Sequence, residues 1–207
     1  MDINRTSENA FDDSRAIKAK VSELVRYASI SRLKIHAACQ EVGVSELDAS
    51  FTPGMVLADR MVFILLSGDP IRITFKIHFD TKTAKKLAFG VFGGKSASDI
   101  SIKLAFDYAK EYCNLVAGSV ATLFEKIRVD LGISLPLCTR GFYEVFLDYT
   151  EREHPIIAYS DFWRLQANGN EVYCSALIEI LDKNSLGDLV GFEIPEETSG
   201  DAEMDFL

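Results

Sequence analysis

The feature that most constrains the fold is a stretch from Ile102 to Ile127 in which polar and apolar side chains alternate with helical spacing. Six polar or small residues recur three or four positions apart; they are Asp107, Glu111, Asn114, Gly118, Thr122 and Glu125. At about 100° per residue they fall within an arc of roughly 80°. The opposite side is apolar; it consists of Ile102, Ala105, Phe106, Ala109, Cys113, Val116, Val120, Leu123, Phe124 and Ile127. We therefore predict a helix over about residues 100–129 that buries one side and exposes Glu111 and Asn114.

The segments around this helix predict β-strands. Apolar runs or alternating patterns occupy residues 61–66, 71–79, 143–149, 156–165 and 172–181. Turn residues at 67–70 and 168–170 join two pairs of these strands into hairpins. Residues 71–79 alternate strictly, which predicts one packed face and one solvent face that carries Lys76 and His78.

Two further helices are predicted, one over residues 15–42 that Gly43 can end and one over residues 81–92. Asp80 or Thr81 would cap the second of these at its start, and Gly93-Gly94 would end it. Ser98 or Asp99 would cap the long helix at its start. Residues 1–14 would precede the first helix as an unstructured lead-in. Residues 133–138, which include Pro136, would form an edge strand or an extended connector. This order predicts an α+β fold in which a largely antiparallel sheet carries the long helix on one face.

Composition limits the classes of partner. The chain has 207 residues, a net charge of −9 and a pI near 4.9, which argue for one domain and against binding nucleic acid or anionic lipid. The first fifteen residues are polar, so no signal peptide is expected, and no apolar run approaches the ~20 residues needed to span a membrane. We expect a cytoplasmic protein.

The reactive residue types do not predict a metal or nucleotide site. The four cysteines and three histidines are scattered, without a C-x-x-C or H-x-x-x-H pattern, so neither a metal nor a redox site is expected. The segment from Gly90 to Ser96 resembles the end of a phosphate-binding loop, but it is one residue short and follows a predicted helix instead of a strand. We interpret it as a glycine helix stop followed by a polar loop.

The long helix also carries a motif. It resembles the motif of the CheC, CheX and FliY family of response-regulator phosphatases: Asp or Ser, three residues, Glu, two residues, Asn, and then some 22 residues to a proline. Asp107, Glu111, Asn114 and Pro136 match it, and Asn114–Gly118 is similar to the family's Asn-x-x-Ala-Gly. CheX is the more similar member, since Glu-x-x-Asn occurs once. Leu135-Pro136 departs from the pair of prolines common at this point.

The resemblance implies a division of the chain. Residues 1–29 would be a lead-in and the start of the first helix, residues 30–183 a CheX-like phosphatase domain, and residues 184–207 an acidic C-terminal segment. The two flanking segments exceed a typical CheX, which leaves open a changed partner or added regulation.

The resemblance also implies an activity, which is dephosphorylation of the aspartyl phosphate of a CheY-like receiver domain. Asn114 would position the attacking water, and Glu111 would pair with the receiver's active-site lysine. Asp107, Gly118 and Thr122 would contact the receiver. The protein would need no cofactor of its own, because the receiver holds the Mg²⁺, and exposed strands would allow a homodimer.

Two alternatives remain open at this point. The chain could be a non-catalytic CheX-like module that binds a receiver domain or another signalling partner through the same polar face. It could also be an unrelated α+β domain whose long helix is merely half exposed. Phosphate release separates the first alternative from an enzyme, and the arrangement of the helix on the sheet tests the second.

Overall fold

The computed structural model describes residues 3–47, 58–140 and 155–195, with side chains from residue 14 onward. The helices in these ranges are α1 (Ile3–His36), α2 (Thr81–Phe92) and α3 (Ile102–Glu125). The strands are β1 (Gly43–Glu46), β2 (Arg60–Ser67), β3 (Ile71–Phe79), β4 (Gly132–Ile133), β5 (Leu137–Arg140), β6 (Ile157–Ala167) and β7 (Asn170–Ile180). Short 3₁₀ segments cover Ala97–Asp99 and Asn184–Leu189.

All described strands belong to one antiparallel sheet. Its order is β1-β6-β7-β3-β2-β4, and β5 also pairs with β2. Both predicted hairpins are present, as β2–β3 and β6–β7. The turn of the second hairpin has positive φ at Asn168 (50°) and Gly169 (71°), as the favoured two-residue turn requires. The prediction of an α+β fold with a largely antiparallel sheet is confirmed.

One hydrophobic core joins the three helices to the sheet. Helix α3 contacts α1, α2 and β2, and α1 also contacts β6. At the centre, Phe75 of β3 lies 6.3 Å from the ring of Tyr112 on α3 and 6.1 Å from that of Trp163 on β6. Tyr112 donates a hydrogen bond of 2.8 Å to the backbone carbonyl of Ser29 on α1. These contacts fix α3 against the sheet and determine which of its sides is exposed.

Side-chain and backbone caps define α2 as predicted. Asp80 accepts a hydrogen bond of 2.6 Å from the backbone N–H of Thr83 at the start of the helix. At the other end, Gly93 adopts φ 71° and its N–H donates to the carbonyl of Phe89, a conformation that favours glycine. Gly90 lies inside this helix, so the segment with a likeness to a phosphate-binding loop does follow a helix.

The ends of α3 differ from the prediction. Ser101 caps it by accepting from the N–H of Leu104 at 3.1 Å, whereas Ser96 and Asp99 form a capping box on the 3₁₀ turn before it. The predicted cap at Ser98 or Asp99 is therefore wrong. The helix ends at Glu125, four residues early, because Arg128 takes φ 62° and the N–H of Val129 bonds back to Phe124 at 3.0 Å. This is a Schellman-type end built on a non-glycine residue.

The first helix and the central strand also correct the predictions. Helix α1 begins at Ile3, so the prediction of an unstructured lead-in over residues 1–14 is wrong from that residue onward. Apolar periodicity indicates where a helix packs on the core, and it does not indicate how far the helix extends beyond the core. On β3, Lys76 is 1% exposed and His78 4%, so the predicted solvent face is buried. Alternation indicates polarity and not exposure, and inside the sheet His78 Nε2 lies 3.1 Å from Ser175 Oγ.

Several other predictions have mixed outcomes. Residues 133–138 do form an edge, in which β4 and β5 pair with successive parts of β2, while β1 was not predicted. The strand predicted at 143–149 lies outside the described residues. The proposed boundaries after residues 29 and 183 stay predictions. Val21 lies before the first boundary and Leu186 after the second, and both are fully buried in the common core. In the part of the chain that the structure describes, no helix is long and apolar enough to cross a membrane.

Candidate functional site

The candidate site is a polar stripe along the exposed side of α3, which we call the motif stripe and define as Asp107, Glu111, Asn114, Gly118, Thr122 and Glu125. All of these are solvent-exposed except Gly118, which is half-buried. The opposite side is closed, since Ala109 is 4% exposed, Cys113 and Val116 0%, and Val120 1%. The two-sided helix predicted from the sequence is confirmed, so these side chains have no role in filling the core.

Glu111 and Asn114 contact each other at the middle of the stripe. The amide Nδ2 of Asn114 donates to Oε2 of Glu111 over 3.4 Å, a length at which a hydrogen bond is weak. Among the described residues this is the one hydrogen bond of the Asn114 side chain. The amide oxygen and a second amide N–H therefore stay available to a ligand or partner.

Gly118 has no structural reason to be a glycine. It lies inside α3, and a Cβ added there would meet no atom of the described residues within 4 Å. Glycine in a helix interior costs roughly 0.5–1 kcal/mol relative to alanine, and packing does not explain this cost. One turn further on, Thr122 Oγ1 donates to the carbonyl of Gly118 at 3.0 Å, so its hydroxyl is held close to the helix. At Gly118 and Thr122, therefore, no long side chain projects from α3, and a partner can approach the helix backbone closely.

At the other end of the stripe, Asp107 is accompanied by a lysine. Lys110 Nζ lies 3.9 Å from Asp107 Oδ1, and the two side chains are 38% and 51% exposed. An ion pair this exposed contributes at most about 1 kcal/mol to stability. The lysine, which sequence reasoning missed as part of the site, lies directly before Glu111 in the chain and one turn before Asn114.

His36, at the end of α1, is a second neighbour that sequence reasoning missed. Its ring stacks on Tyr108 with centroids 4.0 Å apart. Its Nε2 donates to the Tyr108 carbonyl at 2.9 Å, and Tyr108 Oη donates back to the His36 carbonyl at 3.1 Å. Burial lowers the pKa of His36, while the Tyr108 carbonyl and the charge of Glu111 raise it. A neutral imidazole thus lies within electrostatic reach of Glu111, and no local motif in the sequence indicates this.

The structure offers no assembled metal-ligand set in the ranges it describes. No three His, Cys, Asp or Glu side chains there form a group that could hold a metal ion. Cys113 and Cys174 are buried, and burial raises the pKa of each thiol well above its usual range. They are therefore protonated at neutral pH and poor nucleophiles. The chemistry available at the stripe is that of three carboxylates, one carboxamide, one hydroxyl and a nearby ammonium.

Comparisons by sequence find no relative. No protein-family model matches the chain, and no curated protein matches it significantly.

Comparisons by structure do find similar folds. A CheC-like superfamily protein from Shewanella sp. PV-4 superposes with a TM-score of 0.60 at 14% identity, over 77% of this chain and 97% of the other. A chain of the CheX-CheY-BeF3-Mg²⁺ complex from Borrelia burgdorferi gives 0.56 at 13% identity, over 76% and 96%. A chain of the FliM-SpeE complex from H. pylori gives 0.55 at 11% identity, over 87% and 95%. The chain therefore has the fold of the CheC-like and CheX proteins, with its polar stripe on the exposed side of the long helix.

Proposed function

We propose that this protein is a CheX-like phosphatase that hydrolyses the aspartyl phosphate of a CheY-like receiver domain in two-component or chemotaxis signalling. The observation that carries the proposal is the joint exposure of Glu111 and Asn114, in contact one turn apart on α3. The shared fold with a chain of the CheX-CheY-BeF3-Mg²⁺ complex supports the class of partner, because BeF3⁻ mimics a phosphoryl group. From this function we also infer that the protein works in the cytoplasm.

The reaction requires positioning more than strong acid–base chemistry. An aspartyl phosphate is a reactive acyl phosphate, and its hydrolysis is accelerated by holding a water in line with the bond that breaks. The new bond forms between this water and phosphorus, and the bond from phosphorus to the aspartyl oxygen breaks. The receiver's carboxylate leaves with the electron pair. A carboxamide such as Asn114 suits this task, since it both accepts a hydrogen bond from water and donates one to a phosphoryl oxygen.

Glu111 would fix the register between the two proteins. Its carboxylate would form a charge-assisted hydrogen bond with the receiver's lysine, which is stronger than a neutral one. This pairing would replace the 3.4 Å bond that Glu111 accepts from Asn114 and free the amide for the water. Gly118 would allow the receiver to approach, and Asp107 and Thr122 would flank the contact. The metal ion in this scheme belongs to the receiver, so the protein needs no cofactor of its own.

The test is release of inorganic phosphate from a panel of purified phosphorylated CheY-type receivers. Wild-type protein should accelerate the release from at least one of them. Asn114→Ala should abolish the acceleration while largely retaining binding to the BeF3⁻-loaded receiver, because the amide is lost and most of the contact area is kept. Asn184→Ala, which changes an exposed asparagine in the last 3₁₀ segment, is the matched control and should keep full activity. Full activity of Asn114→Ala would remove the proposed catalytic role.

A second candidate function is a non-catalytic module that binds a receiver or another signalling partner. It is favoured by the same fold in a chain of the FliM-SpeE complex, whose name describes an assembly and not a phosphatase reaction. This candidate predicts binding of the BeF3⁻-loaded receiver without any faster loss of phosphate. A homodimer stays a prediction, which light scattering of the purified protein would test.

A further inference from the structure

A group of basic side chains lies along one side of the motif stripe. We call it the basic flank and define it as Arg60, Lys103, Lys110 and Arg140. Lys103 and Lys110 are two helical turns apart on α3 and therefore point to the same side of the helix. Lys110 is 3.9 Å from Asp107, a distance too long for a hydrogen bond, so the carboxylate orients the ammonium without occupying its donors.

The sheet adds two arginines to this flank. Arg60 begins β2, and its guanidinium carbon lies 5.0 Å from the ring centroid of Phe106, one turn before Lys110 on α3. Arg60 and Arg140 are opposite each other in the pairing of β2 with β5, so their side chains share one face of the sheet. Like charges directly opposite on neighbouring strands destabilise a sheet, so fold stability does not explain this pair of arginines. Asp59 Oδ2, 3.8 Å from Arg60 Nε, offsets the repulsion between them only in part.

The surroundings of the Cys138 thiol on β5 indicate that α3 and β2 contribute charged side chains to the same cluster. Burial raises the pKa of this thiol, the positive charges of Lys110 and Arg60 lower it, and the negative charge of Asp59 raises it. Both cations therefore lie close to one residue of β5. In a chain of net charge −9, this concentration of positive charge beside the acidic stripe is the reverse of what composition predicts.

From this arrangement we infer that the basic flank is the docking surface for the anionic rim of the receiver's phosphorylation site; the inference rests on the proposed function. A phosphorylated receiver that holds Mg²⁺ must present phosphoryl and carboxylate oxygens around the metal. Glu111 would meet the lysine of that site, and Lys110 with the two arginines would meet its anions. Opposite charges side by side on one surface fix the orientation of docking and accelerate association. The flank therefore selects phosphorylated receivers whose rim is acidic.

The test compares charge reversal at two lysines of the same helix region. Lys110→Glu changes the flank, whereas Lys126→Glu makes the same change of charge at an exposed residue just beyond α3, about 24 Å away along the helix axis at 1.5 Å per residue. Affinity for a CheY-type receiver loaded with BeF3⁻ and Mg²⁺ is measured by calorimetry at low and high salt. Lys110→Met keeps most of the aliphatic stem and removes the ammonium, with its charge and its hydrogen-bond donors.

We expect Lys110→Glu to weaken binding by about tenfold or more at low salt, Lys110→Met to fall between it and wild type, and Lys126→Glu to bind nearly as wild type. The difference should shrink at high salt, because the Debye length falls from about 10 Å at 0.1 M to about 3 Å at 1 M. In phosphate release, KM should rise for Lys110→Glu while kcat stays within about twofold, since Lys110 acts before the chemical step.

Each outcome bears on one proposal. Equal affinity of wild type and Lys110→Glu, or an equal loss in Lys126→Glu, would overturn the docking role of the flank and leave the phosphatase proposal untouched. Binding that depends on Lys110 without any acceleration of phosphate loss would overturn the phosphatase proposal and support the flank. Absence of binding to every receiver in the panel would overturn both.

Discussion

Replacing Gly118 by alanine should make the protein more stable and less active at the same time. The position is in the interior of α3, and an added methyl group would meet no atom within 4 Å in the part of the chain that the structure describes. The expected gain is therefore the difference in helix propensity, about 0.5–1 kcal/mol. For a chain of this size each kcal/mol raises the unfolding temperature by about 2–4 °C.

The loss of activity follows from where the same methyl group points. It would lie one turn beyond Asn114, on the surface that the receiver is proposed to cover. Forcing a methyl group into a packed contact costs about 1–3 kcal/mol, which corresponds to roughly a 5- to 150-fold lower kcat/KM. The assays are thermal unfolding followed by circular dichroism and phosphate release from a phosphorylated receiver.

Gly90→Ala provides the control for this prediction. Gly90 lies in α2, and its added Cβ would be 3.9 Å from Asn168 Nδ2, an ordinary contact. This variant should gain some stability by the same mechanism and keep its activity. If Gly118→Ala is stabilised and fully active, the receiver does not cover this part of α3. If it is destabilised, the space beside Gly118 is not open.

Two further predictions concern charge. Glu111→Lys should weaken binding of a BeF3⁻-loaded receiver more than Glu111→Gln, because a lysine would face the receiver's lysine while a glutamine keeps a hydrogen bond. The difference in affinity between the two variants should shrink at high salt. Equal affinities in a titration would make Glu111 an ordinary surface residue. Burial and the charge of Lys76 lower the pKa of His78 from 6.5 to about 4. Between these two pH values the unfolded chain therefore binds a proton that the folded protein does not. Up to about 3 kcal/mol of the free energy of unfolding should be lost as pH falls from about 6.5 to 4. Denaturant unfolding at several pH values should show this slope in wild type and a flatter one in His78→Gln, and an equal slope in both would place the effect elsewhere.

The local parts of the fold could be predicted because their signals are local. The bounds of β3 and α2 match the prediction to the residue, since alternation ends at Phe79 and Asp80 and Gly93 mark the ends of the helix that follows. The exposed face of α3 could be predicted for the same reason, as helical spacing alone separates Asn114 from Cys113. These predictions needed no knowledge of what the elements pack against.

The remaining features depend on contacts between distant parts of the chain. Nothing near Lys76 indicates that both faces of β3 are covered, because polarity does not report burial. The basic flank forms only when the register of β2 and β5 brings Arg60 opposite Arg140, and His36 approaches α3 only through the packing of α1. Such neighbours follow from tertiary structure, and sequence periodicity cannot supply them.

The contacts of α1 have a consequence for how the chain folds during synthesis. Trp163 Nε1 donates to Ser29 Oγ at 3.1 Å, and Arg26 forms a two-pronged ion pair with Asp161 at 2.6 and 2.8 Å. Helix α1 can pack on α3 once α3 has been made, but it obtains these partners on the sheet only after β6 has been made, and long-range contacts of this kind slow folding. The part of its surface that packs on β6 must stay exposed until then, so we expect ribosome-bound chains that stop before residue 157 to be cleaved by protease within α1 more readily than longer ones. Equal cleavage of both would show that α1 finds its stable packing without the sheet.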